Sequence, residues 1–314
     1  MNILVTGGCG YTGSILVEKL LKKKHKVTSI DTQWFGNFLK KHKNLKNLKL
    51  NINDIDKISL KKFNVIIHLS SIANDPMSEL DKNLSWETSA LGSFKLINQA
   101  IKYKVKRIIY ASSGSVYGVK KENKVHENLS LKPISLYNKV KMLTERILMS
   151  YKDKIELFII RPATVCGYSP RMRYDLTVNA LTFSALKKKS ITVHGGNQIR
   201  PNIHIDDLTD IYLYLLNISN KHAGVYNAGF ENDSIINIAK KIQSKTQAKI
   251  KIIKKFNDPR SYRLDSSKLK KIGFKPKKKY IDAVLELKKL YLNKKLKDKP
   301  IFHSVSWLKK IKKN

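Results

Sequence analysis

Short apolar runs, each partly β-branched and bounded by polar residues or glycine, recur through the first half of the chain at residues 3–5, 27–30, 48–50, 65–69, 108–110 and 157–160. Between them lie stretches such as 15–21, 93–101 and 136–148, whose apolar residues repeat at intervals of three and four. The first pattern predicts buried strands and the second amphipathic helices. Strands that alternate with helices and are apolar on both faces predict a mostly parallel sheet covered on both sides, an α/β doubly wound fold.

After Arg161-Pro162 the rhythm changes to a loop rich in Gly, Ser, Pro and Arg, followed by a predicted helix at 176–186 and a strand near Thr192-Val193. A further helix at 206–216 and a buried strand at 224–227 read as returns to the first layer. The expected division is a dinucleotide-binding Rossmann region over 1–165, completed by about 203–228. A smaller, interleaved α/β region over 166–202 and 229–314 would bind the substrate. From about residue 233 two or three helices and a strand are expected, with a lysine-rich tail that is partly mobile. Because residues 293–314 interleave Lys with Ile, Phe, Trp and Leu, a docked terminal helix is preferred there over weak contact with an anionic membrane.

Composition narrows the function classes. Cys9 and Cys166 show no paired spacing of the kind that binds zinc or staples a secreted domain. No basic leader followed by an apolar core and cleavage site opens the chain, so a cytoplasmic location is expected. No apolar run approaches the roughly 20 residues of a membrane span, so no membrane insertion is expected. The net charge of +38 invites a nucleic-acid reading, but only eight of the 62 basic residues are Arg. Phosphate- and base-reading surfaces draw heavily on Arg. The lysines are spread throughout, which reads as solvated surface and predicts no specific nucleic-acid partner.

Candidate chemistry begins with Thr6-Gly7-Gly8-Cys9-Gly10-Tyr11-Thr12-Gly13, placed between the first strand and first helix. Gly7 permits a tight turn, Gly10 close approach of the backbone to a diphosphate, and Gly13 packing of helix on strand. Tyr11 and Thr12 open the helix behind the turn. Asp31 ends the second strand 18 residues after Gly13, where a carboxylate accepts hydrogen bonds from both ribose hydroxyls and repels a 2′-phosphate. With no Arg between Asp31 and Asn44, NAD is the expected cofactor rather than NADP.

Tyr137 and Lys141 stand four apart on a predicted helix, hence on one face, where an ammonium stabilises a phenolate. Spacing alone does not single them out. Chance gives about 2.4 Tyr/Lys pairs at this spacing, and the chain holds three, the others being Tyr117 with Lys121 and Tyr291 with Lys295. Only Tyr137 opens a helix after the fifth strand and follows, by 24 residues, the hydroxyl-rich strand end beginning at Ser113.

Taken together, the glycine turn with its spacing of three and three, Asp31, Ser113 before Val116-Tyr117-Gly118, and Tyr137 with Lys141 resemble an extended short-chain dehydrogenase/reductase. The nearest relatives in kind are NAD-dependent nucleotide-sugar epimerases and dehydratases, such as UDP-galactose 4-epimerase. The resemblance extends to Arg200 before Ile203-His204-Ile205-Asp206-Asp207 and to Asp258-Pro259-Arg260 before Asp265. It implies that Tyr137 is the base removing a sugar hydroxyl proton, that Ser113 orients that hydroxyl, and that Lys141 lowers the phenol's pKa and holds the nicotinamide ribose. It also implies cofactor contacts at Asp54, Ile55, Leu69, Ser70 and Ser71. Ser70-Ser71 stands where relatives carry a small apolar pair, Thr88 where they often carry Asn, and Val140 where Ser usually precedes the lysine.

For the substrate, a nucleotide-diphosphate sugar, the resemblance implies Arg200 and Arg260 at the diphosphate, since guanidinium forks suit its oxygens. Arg171 and Arg173, two of the eight Arg in one loop, are candidates for another anion contact, and Asn179 for a bond to sugar or phosphate. His204 and Asp206-Asp207 are expected to cap the following helix. Dehydratases of the family place Asp and Glu after the serine; here Gly114 and Ser115 stand there, which ranks an epimerase, acting at C4, above a 4,6-dehydratase. A keto-sugar oxidoreductase would share every residue named, and a non-catalytic Rossmann protein that binds RNA through its charge is the alternative of another class. The helices at 93–101 and 136–148 resemble those that pair two subunits, so a homodimer is expected.

Overall fold

The computed structural model describes residues 1–253 and 261–312. Strands β1 (Asn2–Thr6), β2 (Lys26–Asp31), β3 (Leu45–Lys49), β4 (Val65–His68), β5 (Arg107–Ala111) and β6 (Glu156–Pro162) fall on the predicted apolar runs. With β10 (Gly224–Ala228) they form one parallel seven-stranded sheet in the order β10-β6-β5-β4-β1-β2-β3. The chain reverses direction of winding between β1 and β4, which opens a crevice at the strands' carboxyl ends.

Alternation along each strand sends side chains to two cores. Ile3 and Val5 join Leu16 and Leu20 of α1 (Tyr11–Lys22) and Ile211 and Leu215 of α7 (Ile205–Leu215) on one face. Leu4 and Ile66 join Leu96 and Ile97 of α4 (Gly92–Lys102) and Leu148 of α5 (Leu136–Met149) on the other. Both layers cover the sheet, so the backbone groups of its inner strands are satisfied by strand pairing, while side chains serve the edge strand β10, where Glu127 accepts from the Asn227 amide at 2.8 Å.

The smaller region carries β7 (Thr164–Cys166), β9 (Ile199–His204) and β11 (Glu231–Ser234) as one sheet, and β8 (Ser190–His194) with β12 (Lys249–Ile253) as another. Val178 of α6 (Thr177–Lys188), Ile238 and Ile242 of α8 (Ile235–Thr246), and Val284 of α10 (Tyr280–Leu292) form its core with Ile191 and Val193. Cys166 is buried there as a filler, its thiol pushed up in pKa by burial. His204 accepts from the Asp206 amide at 3.1 Å and caps α7, and Asp207 receives the Lys277 and Lys278 amides.

Beyond residue 233 the described residues form four α-helices rather than two or three: α8, α9 (Ser267–Lys271), α10 and α11 (Ser304–Ile311). The tail is docked, not mobile, through residue 312. Leu308 packs with Ile72 and Met77, and the Trp307 indole donates to the Trp34 carbonyl at 2.6 Å. Burying an aromatic and a leucine offsets the ordering entropy that its lysines alone could not. Among the described residues no helix is long and apolar enough to cross a membrane.

Candidate active site

One large cavity lies over the carboxyl ends of β1, β2, β4 and β5, and the glycine turn forms its floor. Gly7 adopts φ +71°, and a Cβ there would meet the Ser70 amide nitrogen at 2.8 Å. A Cβ on Gly13 would stand 2.3 Å from the Gly7 carbonyl oxygen, so helix and turn approach as only glycine permits. Gly10 caps α1 with no side chain bonded to the helix end. Uncapped amides and the positive end of the helix dipole make this floor suited to an anion.

Asp31 faces the same cavity and accepts from the Cys9 amide at 3.0 Å and the Gln33 amide at 2.7 Å. Burial raises its pKa, and the two amides work against that rise. Its carboxylate thus both ties down the turn and presents itself to a ribose. Leu69, Ser70 and Ser71 line the cavity beyond β4. The Ser70 amide is fixed by the Thr6 hydroxyl at 3.2 Å, and Ser71 pairs with Ser89 at 3.1 Å.

At the other end, α5 presents Tyr137 and Lys141 to the cavity. Lys141 is buried, and its ammonium donates to the Ala111 carbonyl at 2.7 Å and lies 6.0 Å from the Tyr137 ring. Burial pulls its pKa down to about 7, opposed by Glu145 one turn along the helix. The Tyr137 phenol is pushed up to about 12 by burial, against which a hydrogen bond with Ser113 works. Ser113 also pairs with Ser115 at 2.7 Å, and Ser115 donates to Asn138 at 2.5 Å. The hydroxyl, phenol and ammonium named from sequence are therefore brought together. Neither Tyr117 nor Tyr291 of the other spaced pairs reaches the cavity.

The helix carrying this pair is fixed to the sheet by a buried ion pair. Arg161 of β6 donates to Glu145 of α5 through Nε at 3.0 Å and Nη2 at 2.6 Å, and Ser112 also donates to Glu145. Arg161 further donates to the Tyr117 hydroxyl at 2.7 Å. Every partner is satisfied, which makes the pair a rigid strut rather than a buried liability.

Several expected contacts fall elsewhere. Asp54 does not reach the cavity; it is ion-paired with Lys57 at 2.9 Å, and Ile55 is fully buried in the core. Asn51 and Ile52 take that place, because the chain turns into a 3-10 helix immediately after β3 and its first residues face the strand ends. Asn179 is enclosed, receiving the Gly167 amide at 3.0 Å and donating to the Tyr11 hydroxyl at 3.1 Å and the Arg173 carbonyl at 3.2 Å. The turn at Gly167 leaves backbone groups that this amide satisfies, so most of its hydrogen-bonding capacity is engaged within the fold. Arg200 on β9 lies outside the cavity, bonded to the Ile199 carbonyl at 3.2 Å. Arg260 lies outside the described residues. Arg171 and Arg173 do line the cavity, and Arg173 is paired with Asp175.

The fit of a dinucleotide can be judged on orphaned groups. The Thr88 hydroxyl and Arg171 Nε are buried against the cavity with no hydrogen-bond partner. Buried polar groups are rarely left so, and both suit a ligand bearing hydroxyls, amide and phosphate. Trp34 and Phe35 add an aromatic wall beyond Asp31 that no motif announced. Asn51 and Ile52 were legible only as the first residues past a strand end, and Ser304 had no signal in the sequence.

Comparison with known proteins agrees with this arrangement. The model of the NAD dependent epimerase/dehydratase family matches residues 3–229. An uncharacterised UDP-glucose epimerase of Bacillus subtilis is 36% identical over 224 residues, covering 66% of this chain and 70% of that protein. A putative UDP-glucose 4-epimerase of Methanocaldococcus jannaschii is 30% identical over 291 residues, 87% of this chain and 93% of its own length. The solved structure of a UDP-glucose 4-epimerase from Thermotoga maritima with UDP-glucose superposes with a TM-score of 0.82 at 27% identity, covering 95% of this chain and all of that one. With the glycine turn, Asp31, Tyr137 and Lys141 on one cavity and Ser113 close to the Tyr137 phenol, the chain belongs to the NAD-dependent epimerase/dehydratase family and is an enzyme of nucleotide-sugar chemistry.

Proposed function

We propose that the protein is a nucleotide-sugar 4-epimerase that acts on a UDP-sugar. The observation that carries this reading is that Tyr137 and the buried Lys141 face one cavity with Ser113 close to the phenol, and that no acid or base stands at positions 114 and 115. Bound NAD supplies the hydride acceptor and donor. Tyr137 takes the proton of the sugar hydroxyl, Ser113 holds that hydroxyl in line, and the Lys141 ammonium favours the phenolate. Ser115, engaged with Asn138, has no acidity with which to expel a neighbouring hydroxyl. A keto-sugar that turns over in the site and regains its proton from Tyr137 emerges as the stereoisomer. The names of the curated relatives support the UDP-hexose class.

Pairing of two copies through α4 and α5 belongs to the same reading. Leu91, Phe94 and Leu143 are more than a third exposed on the outer faces of these helices, an apolar surface that a twofold partner would cover. The deciding experiment incubates the NAD-loaded enzyme with UDP-, GDP-, dTDP- and CDP-sugars and identifies products by NMR. A UDP-sugar stereoisomer inverted at C4, without net NADH, is expected. A 4-keto-6-deoxy product, or stoichiometric NADH, overturns the assignment.

A further inference from the structure

The chain beyond α10 builds a wall of the cofactor cavity. Phe302 lies tilted against Phe38 with 5.7 Å between centroids, and its carbonyl receives the Tyr174 amide at 3.1 Å. In α11, Trp307 is tied to the Trp34 carbonyl, Leu308 is buried against Ile72 and Met77, and Lys312 is ion-paired with Asp81. The segment thus spans the loop after β2, the helix α2 (Asp75–Leu80) with the turn that follows it, and the loop after β7. Ser304, at the start of α11, is 1% exposed and lines the cavity itself.

Ser304 is also what holds Arg171. The guanidinium donates through Nη2 to the Ser304 hydroxyl at 3.1 Å and through Nη1 to the Met172 carbonyl at 3.3 Å, and lies 4.3 Å from the Phe35 ring centre. Its Nε has no partner, and among the described residues Arg171 forms no ion pair. Arg173, by contrast, is neutralised by Asp175. The loop bearing Arg171 is stitched to the first turn of α1, since Ser169 donates to the Tyr11 carbonyl at 2.8 Å and Tyr11 to the Gly167 carbonyl at 2.7 Å. A buried guanidinium that forms no ion pair among the described residues, lining the same cavity as an uncapped helix N-terminus, suits an anion. Asp31 in the same cavity repels a 2′-phosphate, which leaves the diphosphate.

We propose that residues 300–312 form the roof of the cofactor site, and that Ser304 holds Arg171 over the dinucleotide diphosphate, so that this segment sets how long the cofactor stays. The inference rests on NAD being the bound cofactor. It moves Arg171 from the substrate, where the sequence suggested it, to the cofactor. Burial and the nearby Arg173 pull the Arg171 pKa down to about 9, against the pull of Asp175 and Asp31, which raise it without pairing with it.

The test measures cofactor directly. NAD content of the purified protein and the rate at which bound NADH exchanges into excess NAD, followed by fluorescence, are compared for wild type, R171Q, R171K, S304A, W307F and a chain ended at residue 299. R171Q is expected to weaken cofactor binding by about 10- to 100-fold, the range for hydrogen bonds to a charged group, with R171K between it and wild type. S304A, W307F and the truncated chain are expected to speed exchange, the last by at least about tenfold. UDP affinity, read by calorimetry, is expected to stay within about twofold. Unchanged retention in R171Q and faster exchange in none of the roof variants overturns the proposal, as does weakened UDP binding with cofactor content intact. Should truncation unfold the chain by circular dichroism, S304A and W307F decide. A wild type that binds no NAD sinks the cofactor assignment itself.

Discussion

Replacing Lys141 by Met separates electrostatic activation of Tyr137 from simple positioning. Tyr137 is pushed up to about 12 in the cofactor-free cavity, so at pH 8 only about one phenol in ten thousand is ionised. Half-ionisation there requires a shift of about four units, or about 5 kcal/mol. An ammonium 6.0 Å from the ring supplies about 3 kcal/mol at an effective dielectric of about 20, close to two units. The positive nicotinamide is left to supply the rest. Burial, opposed by Glu145, draws Lys141 down to about 7, but phenolate and ammonium stabilise each other, and the pair titrates as a unit. The base must be unprotonated, so the rate rises with pH through its pKa, and removing the cation moves that rise upward. Lys141→Met is therefore expected to lower kcat/KM about 100-fold near pH 7–8 and to displace the rising limb by about two units. Activity should recover about tenfold per pH unit through pH 9–10. The assay is the pH profile of epimer formation, read by NMR with enzyme whose NAD occupancy has been verified. A variant profile that runs parallel to wild type, merely lower at every pH, refutes the electrostatic role and leaves Lys141 a positioning residue.

The same lysine links pH to stability. Its native pKa lies below the unfolded value, so between about pH 7 and 10 the unfolded chain holds more protons and stability rises with pH. Urea melts of the cofactor-free protein at pH 7 and 9.5 should show wild type gaining a few kcal/mol, roughly, relative to Lys141→Met; equal gains would mean the lysine is not desolvated as described. Glu145→Ala leaves Arg161 buried and unpaired and should cost about 3–5 kcal/mol in chemical denaturation; a loss under about 1 kcal/mol would show that water replaces the carboxylate. Gly13→Ala forces a Cβ onto the Gly7 carbonyl, and a loss of about 1–3 kcal/mol with at least tenfold weaker NAD binding is expected by calorimetry; wild-type affinity would show that the turn yields. Phe94→Glu with Leu143→Glu should convert a dimer to monomer in light scattering without lowering the melting temperature; an unchanged mass would remove α4 and α5 as the interface.

The sheet was legible because local patterning and tertiary demand coincide in it: a parallel strand buried on both faces must be largely apolar, and residues 3–5, 65–67 and 108–110 are. The glycine turn, Asp31, Ser113, Tyr137 and Lys141 were legible for a related reason, since backbone approach, helical spacing and strand-end position fix them within a few residues of their element. Groups whose roles depend on distant partners were not. Asn179 looked like a ligand until the turn at Gly167 was seen to consume its amide. Asp54 carries the attractive carboxylate, yet the strand ends earlier and turns Asn51 and Ile52 to the cavity instead. The roof joins residues 171, 304, 307 and 34, which lie up to 273 positions apart and whose contacts leave no periodicity behind. Sequence by itself determined the layered architecture and the candidate group of Tyr137 and Lys141, because both follow from hydrophobic period and short-range spacing. Only the tertiary structure decided which charges remain unpaired and which wall closes the cavity, because desolvation and pairing are properties of neighbours in space.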